Sequence, residues 1–180
     1  MPELAQFLDE GEPPIIFTLG SSAVWGAGSF YTESIAAAQR LRRRAVLLVG
    51  NDPLNQPTQL LPRDVIAVAY APYAQIFPRA SIIVHQGGIG TTAQALRAGK
   101  PMLVMPFGGD QYDNAARVVR LGAGRTIMRK QYRAEHAAIE LKQLFENPSY
   151  GEKAAELGRR VQAENGVRVA CDAIEEQLNM

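Results

Sequence analysis

The chain has 180 residues, with 19 Lys and Arg against 18 Asp and Glu and a formal net charge of +1, so charge makes no case for nucleic acid or an anionic membrane as a partner. The length suits one domain with a sizeable core, and the lone cysteine, Cys171, excludes an intramolecular disulfide and fits a reducing compartment. No apolar run reaches membrane-span length and the N-terminus lacks a signal-peptide core, so a soluble, cytoplasmic domain is expected.

In chain order, residues 2–12 read as a short amphipathic helix (Leu4, Phe7, Leu8) running into a Gly-Glu-Pro-Pro break. Residues 1–14 are thus a linker or N-terminal helix, and 15–180 a single domain. Residues 15–19 are a buried strand that empties into the small polar loop Gly20-Ser21-Ser22. Ser29 or Thr32 caps the next helix, expected to run to about Arg43. Its basic end (Arg40, Arg42, Arg43, Arg44) reads as solvated, favourable near the negative end of the helix dipole. Strands follow at 45–49 and 65–68, separated by a polar, proline-bearing loop at 50–63. After Tyr70-Ala71-Pro72, one helical turn is expected from Tyr73 to Phe77.

The stretch 81–114 organises the rest. Ile82, Ile83 and Val84 make a short buried strand ending at His85, and Gln86, Gly87, Gly88, Ile89 and Gly90 form a loop. Thr91 or Thr92 then stands where an N-cap belongs, ahead of a helix ended by Gly99-Lys100-Pro101. A strand at 102–105 exits into Pro106-Phe107-Gly108-Gly109-Asp110-Gln111. A helix at 112–121, a Gly122-Ala123-Gly124 break, a last strand at 126–128 and a helix at 134–145 come next. A long helix interrupted at Gly166 occupies much of 150–178, with Cys171 expected to pack on its apolar face.

About six strands alternating with helices argue for an α/β fold, a Rossmann-like doubly wound parallel sheet. Such sheets bind ligands at the carboxyl ends of their strands. Ser21, Tyr70, His85 and Asp110 each follow a strand end, so one rim should gather hydroxyl, aromatic, imidazole and carboxylate groups. The unpaired amides opening a helix, with its dipole, suit a phosphate when glycines allow close approach. The same glycines also serve a tight strand-to-helix turn.

The string HQGGIGTTAQALRAGKPMLVMPFGGDQYDNAARV resembles the donor-binding signature of the family 1 glycosyltransferases, the UDP-glycosyltransferase superfamily. Phe17-Thr18-Leu19-Gly20-Ser21 resembles that family's Phe-Gly-Ser loop, and Tyr70-Ala71-Pro72 its Trp-x-Pro segment. The resemblance covers most of the chain but only the C-terminal half of the family, whose members pair two Rossmann-like domains in the GT-B arrangement. It implies that His85, the amides of Gly87, Gly88 and Gly90, the hydroxyl of Thr91 or Thr92, and Ser21 hold the donor diphosphate. Tyr70 stands where plant members stack a tryptophan on the base, against the alternative of a core aromatic, and Tyr73 would offer backbone groups to it. Asp110 and Gln111 match the pair that holds sugar hydroxyls, against the alternative of an N-cap and a surface amide. Gln94 replaces a glutamate that accepts from the ribose hydroxyls in many relatives; a neutral acceptor makes a weaker bond and bears on the choice between ribose and deoxyribose donors.

The implied reaction is inverting, metal-independent transfer of a sugar from a UDP- or dTDP-sugar to a small-molecule or lipid acceptor. No Asp-x-Asp element accompanies the loop, and no cofactor is implied, the nucleotide sugar being a substrate. The general base belongs to the N-terminal acceptor-binding domain, so no catalytic residue is assigned here; His136 reads as a surface residue. The string looks closer to bacterial lipid, sterol or rhamnosyl transferases, which extends the expectation to peripheral membrane association of the complete enzyme. Three readings stand: the donor half of a longer enzyme, a short subunit that pairs with a separate acceptor-binding chain, or a nucleotide-sugar-binding module without catalysis.

Overall fold

The computed structural model describes residues 2–58 and 60–178. Six short strands, β1 (Ile15–Thr18), β2 (Ala45–Leu48), β3 (Val65–Val68), β4 (Ile82–His85), β5 (Met102–Val104) and β6 (Gly124–Thr126), form one parallel sheet in the order β3-β2-β1-β4-β5-β6. The helices are α1 (Pro2–Asp9), α2 (Gly20–Ala23), α3 (Phe30–Arg40), α4 (Tyr73–Ile76), α5 (Ile89–Ala98), α6 (Gln111–Arg120), α7 (Ala134–Glu146), α8 (Ser149–Ala163) and α9 (Gly166–Leu178). The expected doubly wound α/β sheet is the architecture found. The order in which successive strands are added reverses between β1 and β4, which opens a crevice above their carboxyl ends.

Apolar residues on both faces explain why the strands read as continuous hydrophobic runs. Ile15, Phe17, Leu47, Val84 and Leu103 pack under α3 and α7, with Phe30, Tyr31, Ala37, Ala137 and Leu141. Ile16, Val46, Ile83, Met102 and Val104 pack on the other side, with Leu4, Ile76, Phe77, Ala95, Ala115, Val118 and Ala154. The N-terminal segment is more than a linker, because α1 buries Leu4 in this second core.

The basic run differs from its expected solvated state. Helix α3 stops at Arg40, and Arg42 takes a left-handed φ of 52° that turns the chain toward β2. Arg43 then lies 4.4 Å over the Phe145 ring and Arg44 4.0 Å over Phe7. Arg44 also donates to the Phe7 and Glu12 carbonyls. These two guanidinium groups fasten α1 and α7 by cation–π contact.

The last strand begins two residues earlier than expected, because only Gly122, with φ 70°, is needed to end α6. Gly124 is already in the sheet, where a Cβ would lie 2.3 Å from the Met102 carbonyl. Cys171 is exposed on α9, a helix with no buried residue among those described, so it is not the packing residue its position suggested. No described helix is long and apolar enough to cross a membrane.

Candidate functional site

The crevice at the β1–β4 junction holds a cleft of about 690 Å³, lined by the segments that follow β1, β2 and β3 and by the first turns of α5. Its chemistry begins with α5. Gly88 is the N-cap and has no side chain to cap with, so Thr91 and Thr92 lie inside the first turn rather than before it. Thr92 donates from its amide and its hydroxyl to the Gly88 carbonyl. The amides of Ile89, Gly90 and Thr91 have no partner among the described residues, as helix geometry requires. Gly90 and Thr91 line the cleft, and Thr91 is otherwise buried.

The glycines divide into two kinds. Gly87 has φ 88°, and a Cβ there would stand 2.8 Å from Val104 Cγ1. Cβ atoms at Gly20 and Gly88 would stand 2.4 Å and 2.7 Å from the Gln86 amide nitrogen. Gly20 and Gly87 are required by the turn itself, both having left-handed backbone, whereas Gly88 has φ −60° and a Cβ there would press only on the end of the Gln86 side chain. Gly90 is different: nothing in the chain lies within 4 Å of where its Cβ would be. A glycine in a helix, with room for a methyl group that lies toward an open cleft, is unexplained by packing.

His85 is fully buried at the end of β4, and burial lowers its pKa to about 4 from the usual 6.5. The imidazole is therefore neutral at physiological pH. Its Nδ1 accepts from the Gly87 amide at 3.0 Å, which puts the proton on Nε2. That Nε2–H is sealed from solvent and has no partner among the described residues. An orphaned buried donor of this kind loses about 1–3 kcal/mol.

The remaining expected residues fall on both sides of the loop. Ser21 is exposed and lines the cleft from α2, where a short helix replaces the expected loop. Tyr70 is 72% exposed at the rim, so it is no core aromatic. Tyr73 lines the inner wall, stacks on Phe77 at 4.3 Å, and pairs its hydroxyl with Thr18 Oγ1 at 2.9 Å. Gln94 is exposed on α5 and lines the same cleft. Asp110 and Gln111 lie beyond it, on the β5 side of the glycine loop. Gln111 Oε1 accepts from the Phe107 and Gly108 amides, and Asp110 accepts from Asn114.

Several residues escaped the sequence reading. Gln86 is 4% exposed, and its Oε1 has no partner among the described residues. Asn114 holds the glycine loop by donating to the Gly87 carbonyl at 2.9 Å. Asn55, buried in the 50–63 loop, donates to the Val24 and Val49 carbonyls. Trp25 lines the cleft while 66% exposed. Only Trp25 carried a sequence signal, as the one tryptophan in the chain, four residues from Ser21.

Residues 33–174 match the family model described as Erythromycin biosynthesis protein CIII-like, C-terminal domain. The chain belongs to this family. It is 40% identical over 176 residues to the O-mycaminosyltylonolide 6-deoxyallosyltransferase of Streptomyces fradiae, an alignment covering 97% of this chain and 40% of that protein. It is 37% identical over 131 residues to a sterol 3-beta-glucosyltransferase of Yarrowia lipolytica, covering 73% of this chain and 9% of that protein. Among solved structures, the glycotransferase of kitacinnamycin superposes with a TM-score of 0.84 at 28% identity, over 93% of this chain and 44% of that one. The sheet is thus that of GT-B glycosyltransferase C-terminal domains, and the chain spans less than half the length of these relatives.

Proposed function

We propose that the chain is the donor half of an inverting, metal-independent glycosyltransferase. It binds a UDP- or dTDP-sugar, and an N-terminal domain or a separate subunit supplies the acceptor and the general base. The observation that carries this reading is Gly90, a glycine with no neighbour to exclude a methyl group, beside unpaired helix amides at the topological switch point. A diphosphate lying on those amides accounts for the missing side chain.

The other residues take roles around it. The Thr91 and Ser21 hydroxyls donate to phosphate oxygens; the His85 Nε2–H, which lies outside the cleft lining and is sealed from solvent, joins them only when the loop above it shifts. Tyr70 covers the base, the Gln94 carbonyl accepts from the sugar of the nucleoside, and Asp110 and Gln111 meet the transferred sugar. As an acceptor oxygen bonds to the anomeric carbon, the bond to the diphosphate breaks and its electron pair leaves with the nucleotide. The helix terminus and the cleft-facing hydroxyls stabilise that growing charge without rearranging. The fold supports the donor class: a spinosyn rhamnosyltransferase complexed with thymidine diphosphate (24% identity) and the glycosyltransferase VinC in complex with dTDP (25%) share it, with TM-scores of 0.75 and 0.74.

Helix α9 favours a partner. Val167, Val169, Ile174 and Leu178 are all exposed on it. Calorimetric titration of the chain with UDP, dTDP, GDP and ADP in metal-free buffer tests the reading. Binding of UDP or dTDP is expected, and binding of none of the four would refute it. With acceptors added, the chain alone is expected to transfer no sugar; turnover would overturn the half-site part.

A further inference from the structure

We propose that Trp25 is a nucleotide-contacting residue, the second aromatic wall of the cleft opposite Tyr70. The inference rests on the donor-binding reading and goes beyond it, since none of the signature segments includes this residue. The chain's one tryptophan is 66% exposed, and it lines the same cleft as Tyr70, Tyr73 and Gln94.

Its placement is built. Helix α2 continues directly into the 3₁₀ turn Val24–Gly26, so Ser21 and Trp25, four residues apart, share one face. Val24 is buried in the core cluster and also lines the cleft, packed so closely on Gly50 that its Cγ2 would stand 2.8 Å from a Cβ there. The carbonyls on either side of Trp25 are both held. Buried Asn55 donates to the Val24 carbonyl at 2.8 Å, and Arg129, itself 4.2 Å over the Phe107 ring, donates to the Gly26 carbonyl at 2.8 Å. The backbone carrying this exposed indole is held, so only its side-chain torsions are left to order on binding.

The sheet sets the width of the slot. Trp25 follows β1 and Tyr70 follows β3, with Gly50 and Asn51 at the end of β2 between them. Two strand spacings separate the walls at sheet level, about 10 Å. A planar ring touching both needs roughly 7–8 Å between them, a gap that a modest side-chain adjustment closes. A pyrimidine nucleoside fits between an indole and a phenol, both of which offer large apolar faces.

The sole tryptophan makes the test direct. UDP and dTDP are titrated onto the chain while Trp25 emission is followed, with calorimetry in parallel. A saturable emission change with the calorimetric Kd is expected. Trp25→Ala should weaken binding about tenfold, the order found for losing one base–aromatic stack, and Trp25→Phe should keep most of the affinity. Inorganic pyrophosphate should bind wild type and Trp25→Ala equally, because the contact is to the nucleoside. Wild-type affinity for UDP and dTDP in a folded Trp25→Ala overturns the proposal, whatever the emission does, and leaves the donor reading standing. If no nucleotide binds the wild-type chain, the donor reading fails first and this inference with it.

Discussion

Gly90→Ala should make the protein more stable and its nucleotide site worse. Gly90 has helical rather than left-handed backbone, being absent from the glycines with positive φ, and an added Cβ meets nothing within 4 Å. Replacing glycine by alanine at a compatible helical position stabilises by about 0.4–1 kcal/mol, chiefly through the entropy of the unfolded chain. For a domain of this size that is a rise in Tm of roughly 1–4 °C. The same methyl group occupies the approach to the Gly90 and Thr91 amides. A phosphate pushed off them gives up a charge-assisted hydrogen bond, about 1.5–3 kcal/mol or a ten- to hundredfold loss of affinity. Urea and thermal denaturation followed by circular dichroism give the first quantity, and calorimetry with UDP or dTDP gives the second. Higher stability with unchanged affinity would refute the assignment of this glycine to the ligand. Lower stability would refute the geometry behind it. Gly87→Ala is the control, because its φ of 88° is left-handed and a Cβ would meet Val104 Cγ1 at 2.8 Å, and it should destabilise.

His85 should leave a pH signature. Its pKa is about 4 in the fold against 6.5 ordinarily, so between those values the unfolded chain binds a proton that the folded chain refuses. The group's contribution is complete above pH 6.5 and is lost as pH falls to 4, about 3 kcal/mol in all; denaturant titrations from pH 7 to 4 should show a flatter dependence in His85→Gln. His85→Ala should weaken nucleoside diphosphate binding by about 1.5–3 kcal/mol, and an unchanged calorimetric Kd would remove it from the site. Asn55→Ala leaves the Val24 and Val49 carbonyls without their buried donor and should destabilise by about 2–3 kcal/mol in urea. Gly158→Ala sets a Cβ 2.7 Å from the Gly99 Cα and 3.1 Å from the Leu96 carbonyl, so α8 must lift from α5 at a loss of about 1–3 kcal/mol; wild-type stability would show that this helix pair is loose.

The sheet was legible in the sequence because each strand is a short apolar run between turn residues, and both faces need such runs. The rim was legible for the same reason: a strand end is easy to place, and Ser21, Tyr70 and His85 follow strand ends. Helix starts were harder. A threonine looks like an N-cap, yet the helix starts earlier, with Gly88 holding the extended backbone of the N-cap (φ −60°, ψ 142°). The short α2 was missed because Gly-Ser-Ser reads as loop, and only Gly20's left-handed turn lets the chain coil at once. Asn55, Gln86 and Asn114 act through contacts with residues distant in sequence, which no local pattern reveals. Arg43 and Arg44 looked solvated because their aromatic partners, Phe145 and Phe7, lie far along the chain.

The pairing of Ile15 with Ile82 brings together the two segments that line the proposed phosphate cradle. Two whole strands and their helices intervene, so the complete cradle depends on this long-range contact. A nucleotide therefore recognises only the finished fold and cannot bind a partly folded chain. A donor present at a hundred times its Kd would add about 2.7 kcal/mol against global unfolding. The supply of activated sugar would then set how long each molecule survives proteolysis, as well as how often it is used.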